Sequence, residues 1–343
     1  MRNARLLLLV LGAAAACAAV AADDPDALYR PQVDVEADPP VYYSPQLFRE
    51  RDAPKAREFL FIFGKHPLTF EQYVASKPPR PTRSRHTLYL CIVGPADGEM
   101  QRVLKMGAPF LEAYYALPVK MLPPVPLKNV ATHHFKEEGY DDVRYNANEV
   151  IERVLTPIVP KDALMLLGCI RPHLYYETSG VYSGIQMQAY PGVGVVAIGW
   201  LLDSPARVAP GHRRDAIVLK RCFHNLTATT AWTLGSSHCD KYYCGMNLGY
   251  GPEELDALPL QMCPECLKKM RWNLGIDPAA HCEAIGRMCA RAGLNDDAAW
   301  YAQRLAQLRQ AEREAKAAKK PAPAKPAPEA PRPAPPATAD PTP

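Results

Sequence analysis

Residues 227–246 read TATTAWTLGSSHCDKYYCGM. The second half of this stretch carries Cys239 and Cys244, and a Cys-Pro-Glu-Cys pair, Cys263 and Cys266, follows downstream. Two paired-cysteine knuckles in so short a span mark a closed, four-thiolate zinc site, structural rather than catalytic. In an oxidising compartment the same four cysteines could instead form two disulfides. A Cys-x-x-Cys can also be a redox motif, but that motif sits at a βα junction of a thioredoxin-like unit, and none is visible here. Zinc bound during folding would protect the thiolates, with a binding free energy on the order of 10 kcal/mol.

The first half has a different pattern. Zinc peptidases of the metzincin class use H-E-x-x-H-x-x-G-x-x-H: two helix histidines bind the metal and the glutamate is the general base. A glycine then ends the helix, and the turn after it supplies a third histidine. Counting back from Gly235 and His238, the histidines fall at 228 and 232 and the glutamate at 229. The sequence has Ala228, Thr229 and Trp232.

The sequence resembles the archaemetzincins, a family whose metzincin motif runs straight into four cysteines that hold a second zinc. The matching residues are Leu234-Gly235-x-x-His238-Cys239, Cys244-x-Met246 and the block from Glu254 through Cys263-Pro-Glu-Cys266 to Lys269. Looser similarity runs upstream through Arg144-Tyr145-Asn146-Ala147, residues 163–168, Leu174-Tyr175 and Val193-Gly194-Val195. The resemblance covers about 86–275. It implies a metzincin-like α/β fold, a mixed and mostly parallel sheet beside an active-site-type helix. It also implies a zinc metallopeptidase class, with Met246 as the turn methionine beneath the catalytic metal. Ala228 and Trp232 cannot bind zinc, and Thr229 cannot act as a carboxylate base. His224 lies one helical turn before Ala228 but has no histidine at i+4, and Glu177 or Glu253 would have to come from elsewhere.

The remaining chain fits around this motif. Residues 87–93, 117–122, 163–170 and 193–202 read as strands, and 99–116 and 146–155 as helices, with Asn146 as an N-cap. Strands alternating with helices indicate an α/β domain with a largely parallel sheet. Beyond Arg214 the pattern is helical at 214–234, 266–274, 278–292 and 296–319. Residues 23–84, rich in Pro and Tyr, read as an irregular extension with one strand at 58–63; the archaemetzincin-like domain spans 85–295. Residues 1–22 read as a signal peptide: Arg2 and Arg5, an apolar run from Leu6 to Ala16, and small residues at Val20-Ala21-Ala22. Ala14-Ala15-Ala16-Cys17 could instead be a lipoprotein box, with Cys17 acylated. Residues 320–343, almost all Pro and Ala, read as a disordered spacer.

The net charge is only +4, and no basic stripe interleaved with aromatics suggests nucleic acid. Cys91 and Cys169 read as core. Cys282 and Cys289 share a helix face and are core, or pair with Cys222 or with neighbours. His281 reads as a packing or capping residue, and His133-His134 and Tyr242-Tyr243 as surface features. The expectation is an exported pseudopeptidase, periplasmic or extracellular and lipid-anchored only through Cys17. It would hold one structural zinc and no catalytic one, and keep a peptide or protein partner in the former cleft around Ala228, Trp232 and His238. The alternatives are an active metallopeptidase with a rebuilt site and a purely structural envelope protein.

Overall fold

The TLYLCIV run at β1 (Thr87–Val93) is buried at every position. A strand apolar on both faces belongs in the middle of a parallel sheet covered on both sides. In the computed structural model, which describes residues 24–53, 67–137, 140–185, 187–203, 214–249 and 251–318, β1 pairs in parallel with β2 (Val119–Met121) and with the equally buried β5 (Ala163–Ile170). β9 (Val193–Ala197) pairs in parallel with β5, and β8 (Met187–Tyr190) joins it antiparallel at the edge, giving the order β2-β1-β5-β9-β8. The fold is thus α/β with a mixed, mostly parallel sheet.

One sheet face carries α2 (Gly98–Tyr115) and α5 (Arg214–Thr233), followed by the C-terminal helices. Asp97 caps α2 by accepting the Met100 amide at 2.8 Å. The other face is covered by α3 (Ala147–Glu149), which runs on as a wider π turn over Val150–Leu155. Asn146 caps this helix as its position predicts, accepting the amides of Asn148 and Glu149. A second, four-stranded sheet of order β3-β4-β6-β7 comprises β3 (Thr132–Glu137), β4 (Tyr140–Asn146), β6 (Leu174–Thr178) and β7 (Val181–Ile185).

Several expectations change. Strand 117–122 shortens to three residues, and 193–202 divides into β9 and a short helix α4 (Gly199–Asp203). A Cβ at Gly199 would lie 2.1 Å from the Arg171 carbonyl oxygen, so only glycine permits this turn. The small sheet has no counterpart in the sequence reading, because its strands mix charged and aromatic residues without alternation. The extension includes α1 (Phe70–Ala75), closed by a Thr69–Gln72 capping box. The strand expected at 58–63, the signal segment and the Pro/Ala tail lie outside the described residues. No helix among the described residues is long and apolar enough to cross a membrane.

The C-terminal third is α6 (Pro252–Ala257), α7 (Pro264–Leu274), α8 (Pro278–Arg291) and α9 (Asn295–Ala318). Arg221 on α5, 1% exposed, holds Asp256 of α6 through two hydrogen bonds at 2.6 and 2.7 Å. α6 is thereby tied to the motif helix.

Candidate metal centre

α5 ends where the sequence count places its end. The Ser236 amide reaches back to the Ala231 carbonyl and the Gly235 amide to that of Trp232, both at 2.9 Å. This is a Schellman closure, and Gly235 takes the left-handed φ of 77° that it requires. Of the three positions where metal chemistry would sit, Ala228 and Thr229 are buried and Trp232 is half-buried. Ala228 is buried and offers no donor. Thr229 is fully buried; its hydroxyl donates to the Asn225 carbonyl at 2.8 Å and lies 3.8 Å from the Met187 sulfur on β8. The Trp232 ring stands opposite the His238 ring, centroids 6.3 Å apart and tilted by 36°.

His224, one helical turn before Ala228, is engaged elsewhere. His224 is buried, with Nε2 2.8 Å from the Asn247 carbonyl oxygen. That acceptor fixes the proton on Nε2, and burial pushes the ring's pKa down to about 4. Glu177 is exposed on β6, and Glu253 lies in α6. Neither forms, with His238, a group of three converging metal ligands among the described residues. Among the described residues, the only group of three or more His, Cys, Asp or Glu with converging donor atoms is Cys239, Cys244, Cys263 and Cys266.

Their sulfurs all lie within 4.8 Å of one another, and those of Cys239 and Cys263 are 3.6 Å apart. Four thiolates about 2.3 Å from a tetrahedral zinc stand about 3.8 Å from each other, so the cluster fits one such ion with little adjustment. Two knuckles supply it, one from the turn after α5 and one from the start of α7. Cys263 is the N-cap of α7 and Pro264 opens the helix, where a missing amide costs nothing. The Cys244 sulfur accepts the amides of Cys263 and Met246 at 3.2 and 3.4 Å. Hydrogen bonds from the Cys244 thiol, then from Cys263 and Cys266, hold Cys239 well below its ordinary range. Burial raises Cys244, and the hydrogen bond with Cys239 raises Cys266. A divalent cation would complete such a cluster, because a coordinating thiol gives up its proton to the metal. All nine described cysteines are free thiols.

Sequence reasoning missed Asn247, which is fully buried. Its Oδ1 accepts the Cys244 amide at 2.7 Å, and its Nδ2 donates to the carbonyls of Cys239 and Tyr242 at 2.8 and 3.1 Å. One side chain thus closes the first knuckle, while its own carbonyl anchors to His224. The only signal was a turn-forming asparagine directly after Gly245-Met246. Gly245 is also required: a Cβ there would lie 2.4 Å from both the Leu260 carbonyl and the Tyr114 hydroxyl. Met246 is buried in the core, and its carbonyl accepts the Cys239 amide at 3.2 Å.

The N-terminal extension brackets this region. Arg51 and Tyr243 donate backbone amides to the Lys241 and Arg49 carbonyls, and the Arg51 guanidinium, 2% exposed, meets Glu254 at 2.6 Å. Beyond the cysteine turn, the Leu68 amide reaches the Ser237 hydroxyl at 2.7 Å and Tyr73 donates to the Leu234 carbonyl at 3.1 Å. Tyr242 is accordingly buried rather than a surface residue, and Tyr243 is half-buried, with its hydroxyl on Asp52. His133 stacks on Tyr182 at 4.0 Å, whereas His134 stays exposed beside Asp141.

The other cysteines pack in the core. Burial raises Cys91 to about 11 and Cys222 and Cys282 to about 12, and drives Cys169 and Cys289 upward too. His281 is buried edge-on to Tyr114 and Tyr301, as a packing residue should be.

No family model matches the chain. Three curated relatives, the archaemetzincin-2 proteins of Pongo abelii, Macaca fascicularis and Homo sapiens, are 23%, 24% and 23% identical over 249 residues, 64% of this chain and 69% of theirs. Among solved structures, an archaemetzincin from Methanopyrus kandleri aligns with a TM-score of 0.43 at 19% identity, over 57% of this chain and 99% of that one. A zinc-dependent peptidase from Methanocorpusculum labreanum gives 0.40 at 18%, over 53% and 99%. With the sequence relatives beside its own Gly235-to-Met246 turn and cysteine cluster, the chain is an archaemetzincin-like protein.

Proposed function

We propose that the protein is an exported pseudopeptidase, a binding or scaffold module whose one zinc is structural. The reading rests on three residues of α5. Ala228 and Trp232 offer no metal ligand, and Thr229 spends its hydroxyl on the Asn225 carbonyl. A catalytic zinc needs three protein ligands, an open position and a base nearby, because the metal lowers the pKa of its water and stabilises the oxyanion. The described side chains around His238 supply one of these parts. By contrast, the four cysteines supply every ligand of a closed site, and zinc there would join the end of α5 to the start of α7. The N-terminal extension, knitted to residues 234–243 from both sides, suits a module that presents this region as a fixed surface. Export rests on Arg2, Arg5 and the apolar run after them.

Metal analysis of the purified mature protein tests the reading. One zinc per chain and no cleavage of a peptide library are expected. Two zincs, or cleavage abolished by a chelator, would overturn it in favour of a rebuilt peptidase. N-terminal sequencing of the native protein should begin at Asp23, and an intact Met1 would remove the export claim.

A further inference from the structure

Strand β7 closes the second sheet, and among the described residues its outer edge has no strand partner. Sheets guard such edges with lysine, proline or a bulge. The VYSGI sequence of β7 has no lysine or proline, and Val181 and Tyr182 are 62% and 41% exposed. The hairpin fixes which backbone groups this edge offers. Ser179 and Gly180 both have positive φ, with Thr178 opposite Val181, the two-residue turn that suits a twisted hairpin. The flanking pair exchanges hydrogen bonds, and bonded pairs recur at every second step. Ser183 and Ile185 are therefore bonded inward, to Tyr176 and Leu174, while the amides and carbonyls of Tyr182 and Gly184 point outward. Tyr175, Tyr182 and Gly184 share one face. There the Arg144 guanidinium lies across Gly184, its Nη1 1.5 Å from where a Cβ would be.

We infer that β7 pairs antiparallel with β7 of a second copy of this chain, about a twofold axis at Ser183. In that register Tyr182 faces Gly184 of the second copy, and the reverse pair forms alongside. The outward groups of both strands are all satisfied, and Val181 meets Ile185. A slip by one residue sets outward groups against inward ones and forfeits the ladder. Tyr182, stacked inward on His133 of its own copy, stands opposite a glycine whose face the Arg144 guanidinium of the other copy already covers, so the two edges meet without a clash. Glu177, exposed and cross-strand from Tyr182, brings the opposite charge to the same place. The pairing strands themselves carry no charge, so nothing repels. An interface this narrow lies below the roughly 1,200 Å² of stable complexes, which makes the dimer weak and concentration-dependent.

Ser183→Cys tests this in the zinc-loaded full chain. Across the twofold, residue 183 forms a non-bonded pair with Cα atoms about 4.5 Å apart, within the roughly 4.4–6.8 Å a disulfide spans. Mild oxidation should link this variant into a dimer. Val181→Cys, whose copies stand about 13 Å apart in the proposed register, should stay monomeric. Sedimentation of the wild-type chain should show dimers that increase with concentration, and Val181→Lys should abolish them without shifting the urea midpoint. A wild-type chain monomeric at every concentration, or linkage of Val181→Cys as fast as Ser183→Cys, would overturn the inference.

Discussion

Replacing Asn247 by alanine should loosen the first knuckle while leaving all four cysteines in place. The side chain makes three hydrogen bonds, to the Cys244 amide and the Cys239 and Tyr242 carbonyls, in a fully buried setting. Each buried partner left unmet costs about 1–3 kcal/mol. Partial relaxation of the turn brings the sum to roughly 3–6 kcal/mol, a large part of the about 5–15 kcal/mol that holds a typical domain together. Because two of these partners belong to cysteines, the loss should also appear at the metal. Urea unfolding of zinc-loaded protein should show the destabilisation, and a chromophoric chelator should take the zinc faster from the variant. Asn247→Asp separates hydrogen bonding from volume. A carboxylate can still accept from the Cys244 amide, but it turns an oxygen toward carbonyls that need a donor and adds charge beside the thiolates. It should be at least as damaging as alanine. An alanine variant within about 1 kcal/mol of wild type, with unchanged zinc release, would refute the clamp.

Other outcomes follow from the same core. Gly245→Ala should destabilise by about 1–3 kcal/mol as measured by urea unfolding, because the clash is with the Leu260 backbone as well as the Tyr114 hydroxyl. Arg221→Ala should cost roughly 3 kcal/mol on the same assay, since it leaves Asp256 without its bidentate partner. Burial pushes His224 and His281 down to about 4, so between pH 6.5 and 4 the unfolded chain binds protons that the folded one refuses. Stability is full above this window and falls as pH drops through it, by up to about 3 kcal/mol per histidine. His281→Phe, compared with wild type by urea unfolding at several pH values, should show a shallower fall.

The legible parts of the fold were those where one interaction dominates. β1 and β5 are apolar throughout because both faces are buried. α2, α5 and α8 show helical spacing because one stripe of each faces the core. The cysteine spacing was readable because tetrahedral coordination by two knuckles imposes it. The small sheet was not readable: its aromatic face is half-exposed, and strands such as THHFKE and YDDVRYN owe their pairing to partners distant in sequence. Asn247 was hidden for a related reason, since its role depends on carbonyls that only the folded turn assembles. The extension was undervalued because loops rich in proline rarely fix a site, yet Arg51, Leu68 and Tyr73 hold the cysteine turn from two sides.

The three α5 positions and the four cysteines differ in how their energies combine, and the difference can be measured. Ala228, Thr229 and Trp232 are independent of one another: alanine favours a helix, threonine satisfies its own hydroxyl within it, and tryptophan packs toward His238. The four cysteines form a unit, because one missing ligand weakens the ion's hold and leaves the other buried thiols without their counter-charge. Their energies should therefore be strongly non-additive. Cys263→Ser alone should release the zinc and unfold the C-terminal third, and adding Cys239→Ser should cost little more. If each replacement instead takes its own similar share of stability, and zinc content falls stepwise, the cysteines do not act through one shared ion.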